Sequence, residues 1–151
     1  MALYDGAMKK ILLVTLMAAC GGGGSGVDSG KLIKDLSVAE GNEECNYLFD
    51  TYPQKTVTCP DNSTVKVGED PTKRATTCNE TSNTTPAGCT ATVGQAEQCI
   101  DDLYNEAATA ICSQTIPPSC GPVLSAACQG TARIAPMTAT EVLDLALKLS
   151  R

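Results

Sequence analysis

Eight cysteines lie between residues 45 and 128, and no two of them are close neighbours in the chain. The gaps separating Cys45, Cys59, Cys78, Cys89, Cys99, Cys112, Cys120 and Cys128 are 13, 18, 10, 9, 12, 7 and 7 residues. Zinc sites usually draw on tight pairs such as C-x2-C, because two thiolates must meet one ion at about 2.3 Å. No such pair exists here, and the chain has no His. An even number of well-spread cysteines in a small exported domain instead implies disulfides, four in this case. Spacing alone leaves the connectivity open. Cys112 and Cys120 flank a predicted turn and are the favoured pair.

The framework matters because the apolar core is thin. Past residue 20 the aromatics are Phe49, Tyr47, Tyr52 and Tyr104. Each disulfide typically contributes about 2–4 kcal/mol, against a net domain stability of about 5–15 kcal/mol. The expected fold class is a small disulfide-stapled domain, mainly α with one short β-hairpin.

Export is written in the first 20 residues. Met8 to Cys20 reads MKKILLVTLMAAC, with Lys9 and Lys10 as a basic n-region and Ile11 to Ala19 as an apolar h-region. Nine residues rise only about 13 Å as a helix, against a hydrocarbon core of about 30 Å. The segment reads as an export signal over residues 1–19 and not as a membrane span. Residues 1–7 fit no n-region, and Asp5 is awkward there, which points to Met8 as the true start.

Leu16-Met17-Ala18-Ala19-Cys20 resembles the lipobox of bacterial lipoproteins, with Met17 where Leu is usual. The resemblance implies diacylglycerol on the Cys20 thiol, cleavage before Cys20 and acylation of the new amine. No other cofactor is expected. The alternative is an ordinary signal-peptidase site near Ala19, with Cys20 a spare thiol. Two or three acyl chains, at about 0.8 kcal/mol per buried methylene, anchor stably where one chain does not. GGGGSG follows at 21–26, so residues 20–30 read as the lipidated Cys and a Gly-rich tether, and 31–151 as one domain. Gly21 is not the Asp that retains such proteins at the inner membrane in enteric bacteria. The resemblance therefore implies an outer-membrane location, facing the periplasm or the cell surface.

Within the domain, three capping boxes mark helix starts: Ser37 with Glu40, Thr92 with Gln95, and Thr138 with Glu141. After the first, Val38, Cys45, Leu48 and Phe49 recur at helical spacing, and Pro53 ends the run. Two β-rich runs between Lys55 and Val67 flank the turn residues Pro60 to Ser63, a hairpin signal. Residues 68–92 are polar and broken, read as loop held by Cys78 and Cys89, with N-x-S/T sequons at Asn62, Asn79 and Asn83. The strongest helix follows Thr92, with Ala96, Cys99, Ile100, Leu103, Ala107 and Ile111 on one stripe. Pro117 and Pro118 stop it. A shorter helix then runs to Cys128, with Gly130 as its C-cap. The tail from Thr138 has a broad apolar face (Val142, Leu143, Leu145, Ala146, Leu147, Leu149) that either closes the core or docks a partner or membrane.

DLSVAEGNEECNY, TVTCPDNSTVKV and CTATVGQAEQC also resemble segments of small cysteine-rich lipoproteins of myxobacterial type. The resemblance spans residues 34–128, and Asn46-Tyr47 stands where that family often has an acidic residue and Trp. It implies class and location, not an activity.

Catalytic constellations are poorly supplied. Without His there is no Ser-His-Asp or Cys-His machinery. The net charge is −6, and the absence of a basic cluster argues against nucleic acid as a partner. Glu97, Asp101, Asp102 and Glu106 form the best carboxylate cluster, with Glu97 and Asp101 one helical turn apart. Paired carboxylates can run acid/base chemistry or hold Ca²⁺, but these lie opposite the apolar stripe, as a solvated face does. Asp61-Asn62-Ser63 begins like a calcium loop but lacks the Gly and Glu that would complete it, and the P-loop likeness around Lys31 fails at Ser25 and Leu32. The expectation is a non-catalytic lipoprotein, a binding or envelope-structural module whose partner is an envelope protein or polysaccharide. The alternative is an exported carboxylate-dependent enzyme or inhibitor.

Overall fold

The Ser37 hydroxyl accepts the Glu40 amide at 3.3 Å, and the Glu40 carboxylate accepts the Ser37 amide at 2.9 Å. This reciprocal cap opens helix α1, Val38–Thr51, in a computed structural model that describes residues 24–79, 82–130, 138, 139, 141–143 and 145. α1 buries Gly41, Glu44, Cys45, Leu48 and Phe49. Val38, expected on this stripe, is 39% exposed: it is the first residue past the cap, where the helix has not yet reached the core.

Strands β1 (Lys55–Thr58) and β2 (Thr64–Val67) pair antiparallel, Lys55 opposite Val67 and Thr58 opposite Thr64. At the tip Asp61 accepts the amide and hydroxyl of Ser63, at 3.0 and 2.6 Å, and Asn62 takes φ 66°. The would-be calcium loop is thus an Asx-stabilised turn. Gly68, at φ 90°, lets the chain leave β2 beneath α1: a Cβ there would stand 2.6 Å from the Tyr52 carbonyl oxygen. Tyr52 and Tyr104 meet edge to face at 5.2 Å, and the Lys55 ammonium lies 3.6 Å from the Tyr104 ring centre.

The stretch read as loop contains a turn of 3-10 helix, Pro71–Lys73, running into α2, Arg74–Thr77. Asp70 accepts the Thr72 amide at 3.0 Å, and Pro71 occupies the first turn, where its missing N–H costs nothing. Asp70-Pro71 is a local start signal that the loop reading passed over. Arg74 pairs with Asp50 and donates to the Asn46 carbonyl at 3.0 Å, tying α2 to α1.

Helix α3, Val93–Asn105, opens with the second capping box and is the centre of the core. Val93, Ala96, Cys99, Ile100 and Leu103 are at most 1% exposed. The helix does not continue to Pro117 as expected. It breaks at Glu106, and one further turn, α4 (Ala107–Ala110), keeps Ala107 and Ala110 buried. Asn105 is a poor helix former, and its side chain is spent on Asp101 of the preceding turn at 2.8 Å. The shorter helix expected up to Cys128 is two pieces, a 3-10 turn at Pro118–Cys120 and α5, Ala126–Gln129, separated by extended Ser125. Gly130 follows at φ 68°.

Four disulfides staple this arrangement: Cys45–Cys78, Cys59–Cys112, Cys89–Cys128 and Cys99–Cys120. The favoured Cys112–Cys120 pair is therefore incorrect. Cys112 lies beyond the helix break at Glu106 and past the end of α4, so the periodicity of the α3 stripe no longer sets its direction. Cys120 returns to that stripe, and Cys112 reaches the hairpin instead.

The third capping box is present. The Thr138 amide donates to Glu141 Oε2 at 2.9 Å, and the Glu141 amide donates to Thr138 Oγ1 at 3.3 Å. Ala139, Val142 and Leu143 are buried in the core, and the Ala139 amide donates to Gln114 Oε1 at 3.1 Å. The described part of the tail closes the core; Ala146, Leu147 and Leu149 lie outside the described residues.

Candidate functional site

The four carboxylates grouped from the sequence divide between neighbourhoods, and only Asp102 and Glu106 share a recess. Asp101 accepts from Tyr52 Oη at 3.4 Å and Asn105 Nδ2 at 2.8 Å. Asp102 accepts from Ser119 Oγ at 2.5 Å and Gln98 Nε2 at 2.9 Å, which pins the 3-10 turn to α3. Asp102 and Glu106 border a recess of about 220 Å³, whose other wall is Ala110, Ile116, Pro117 and Pro118. The face is only partly the solvated one expected, since Asp101 and Asp102 are half-buried by elements packed beside them.

Glu97 has a different neighbourhood. Its Oε1 accepts the Ser25 amide at 3.3 Å. A Cβ on Gly24 would lie 3.4 Å from Glu97 Oε1, and one on Gly26 would lie 3.1 Å from Glu43 Oε1. Residues 24–26 thus run across two carboxylates; a Cβ would make ordinary contact at Gly24, whereas Gly26, at φ 91°, is the position that favours glycine. Residues 28–33 are more firmly fixed. Gly94 N–H donates to the Ser29 carbonyl at 2.9 Å, Val93 N–H to Lys31 at 3.0 Å, and Ile33 N–H to Ala91 at 3.0 Å. The segment read as a free tether packs on α1 and α3 from Gly24 onward, because backbone amides bind even where side chains are missing.

Beneath it lies Glu44, which the sequence reading did not single out. It is 0% exposed, and neither carboxylate oxygen meets a donor in hydrogen-bonding geometry among the described residues. Burial pushes its carboxyl up to about 7; the Ser25 hydroxyl opposes the shift, and the charges of Glu97 and Glu43 add to it. A signal was available. Glu44 lies three residues after Gly41 and four before Leu48, on the inward ladder of α1. Lys31 is engaged elsewhere, 2.6 Å from Glu40 Oε1, and with Ser37 it draws the Glu40 carboxyl down to about 2.

Among the described residues, no group of three or more His, Cys, Asp and Glu side chains could hold a metal ion, and no helix is long and apolar enough to cross a membrane. Cys20 and the signal segment lie outside the described residues. No family model matches the chain, and neither a curated protein nor a solved structure matches it.

Proposed function

We propose that this chain is a lipid-anchored envelope protein whose disulfide-stapled domain serves as a non-catalytic binding or envelope-structural module at the outer membrane. One observation carries the reading. The eight cysteines from Cys45 onward pair among themselves, so Cys20 has no cysteine partner within its own chain. A lone cysteine after Leu16-Met17-Ala18-Ala19, at the end of an export signal, is what a lipid-modification site requires. The dispersal of Glu97, Asp101 and Asp102 onto separate partners favours binding over the carboxylate-enzyme alternative.

Labelled palmitate tests it. The wild type takes up label, Cys20→Ser does not, and fractionation places the mature protein with the outer membrane. Label persisting in Cys20→Ser, or a mature form found only in soluble periplasm, overturns the proposal.

A further inference from the structure

The cover over Glu44 is held by few contacts. Gly24 and Gly26 bring no side chains to it, and its polar hold on the domain, among the described residues, is Ser25, through its amide on Glu97 and its hydroxyl facing Glu44. Ser25 Oγ also accepts the Val27 amide at 3.3 Å, which shapes the segment locally. The backbone bonds to α3 begin only at Ser29, so the natural hinge is at Asp28. Val27 is partly buried against the core.

Beneath the cover, the charged groups acting on Glu44 are Glu43 of α1 and Glu97 of α3, both negative, and the polar group above it is the Ser25 hydroxyl. A protonated Glu44 is tolerated there. An ionised one is a third carboxylate, buried with no cation beside it among the described residues, and buried charge is costly unless paired or hydrated. Water can reach it most cheaply by displacing the segment with the fewest side chains.

We propose that residues 24–27 form a proton-dependent clasp: they lie closed over Glu44 while its carboxyl is protonated and lift from α1 and α3 when Glu44 ionises between Glu43 and Glu97. The clasp goes beyond the lipoprotein reading and does not depend on it. Lipidation decides only what the released segment is attached to.

Amide hydrogen exchange at Ser25 and Val27 on the full chain, corrected for the intrinsic pH dependence, tests the clasp. Protection at both amides is expected to fall at least tenfold between pH 5.5 and pH 8.5, while the Ile33 and Val93 amides stay protected. Glu44→Gln, a neutral isostere, is expected to keep the clasp closed at both values. Protection that does not change with pH in the wild type overturns the proposal, as does a Glu44→Gln chain that opens like the wild type. A carbon NMR titration of the wild-type Glu44 carboxyl gives a readout needing no variant: a midpoint below pH 5 also overturns it. Calcium added at pH 8.5 separates proton from metal control, and reclosure at micromolar Ca²⁺ would show that the cluster answers to a cation instead.

Discussion

The side-chain amide of Asn83 donates to the backbone carbonyl of Ile33 at 2.9 Å, across 50 residues of sequence. It reaches the Leu36 carbonyl as well, at 3.2 Å, and its own Oδ1 accepts the Thr85 amide at 2.9 Å. Asn83 is thus a clip between the Thr-rich segment and the entry to α1, and its amide nitrogen is not available to carry a glycan in the folded state. Asn62, at the exposed hairpin tip, has no such engagement with the core.

Asn83→Ala should lower stability by about 1–3 kcal/mol, since two carbonyls and one amide lose their partner. Asn62→Ala should cost less, mainly through the φ of 66° that Asn tolerates. Denaturant melts of the two variants decide this; an Asn83→Ala chain as stable as the wild type would show that the clip contributes nothing.

Reduction should abolish the cooperative thermal transition. The bonds should not be equal, because loop-closure entropy grows with the residues enclosed. Cys59 and Cys112 stand 53 positions apart in the chain, and Cys99 and Cys120 stand 21 apart. The chain-entropy relation gives about 4 and about 3 kcal/mol for the two. Paired Ser substitutions, compared by melting temperature, check the order. Peptide mapping of the unreduced chain checks the pairing, and recovery of a Cys112–Cys120 peptide would refute it.

Two glutamates set opposite limbs of the pH profile. Glu44 is raised to about 7 from 4.5, so the folded state holds a proton that the unfolded chain releases above 4.5. Its contribution is full below pH 4.5 and is lost as pH rises to about 7, up to about 3 kcal/mol for that shift. Glu40 is lowered to about 2, so its contribution is present above pH 4.5 and is lost as pH falls toward 2. Stability should peak in mildly acid solution. Glu44→Gln should flatten the limb between pH 4.5 and 7, and an unchanged slope in urea melts would exclude Glu44 as its source.

Deleting residues 137–151 should remove about 3–6 kcal/mol, the burial of Val142 and Leu143 at about 1.5–3 kcal/mol each. Both are core residues, although the segment holds no cysteine. If the tail instead serves only a partner or membrane, the truncated chain keeps its melting temperature and loses envelope association while Cys20 still carries lipid.

The features legible from sequence are those whose partners lie within one turn. All three capping boxes formed, since a hydroxyl and a Glu or Gln side chain three residues apart each accept the other's backbone amide whatever the tertiary fold. The α3 stripe was legible because a period of 3.6 needs only a core to face, and the β1–β2 pairing because Pro60 to Ser63 supply the turn. The disulfide partners were not, because the break at Glu106 and the return at Pro118 redirect Cys112 and Cys120 after local rules have ended. Glu44 was hidden because a carboxylate is assumed to face water. Its spacing from Gly41 and Leu48 puts it on the inward ladder of α1, and the cover from Gly24 to Gly26 completes its burial.

The disulfides interleave so that every peptide bond from Cys45 to Cys128 is spanned by at least one of them. A single cut anywhere in that stretch, including the exposed threonines before Cys89, leaves both fragments covalently joined. Where proteases are present, such a domain would pass through nicking as one molecule. Damage would be visible on a gel only after a thiol is added.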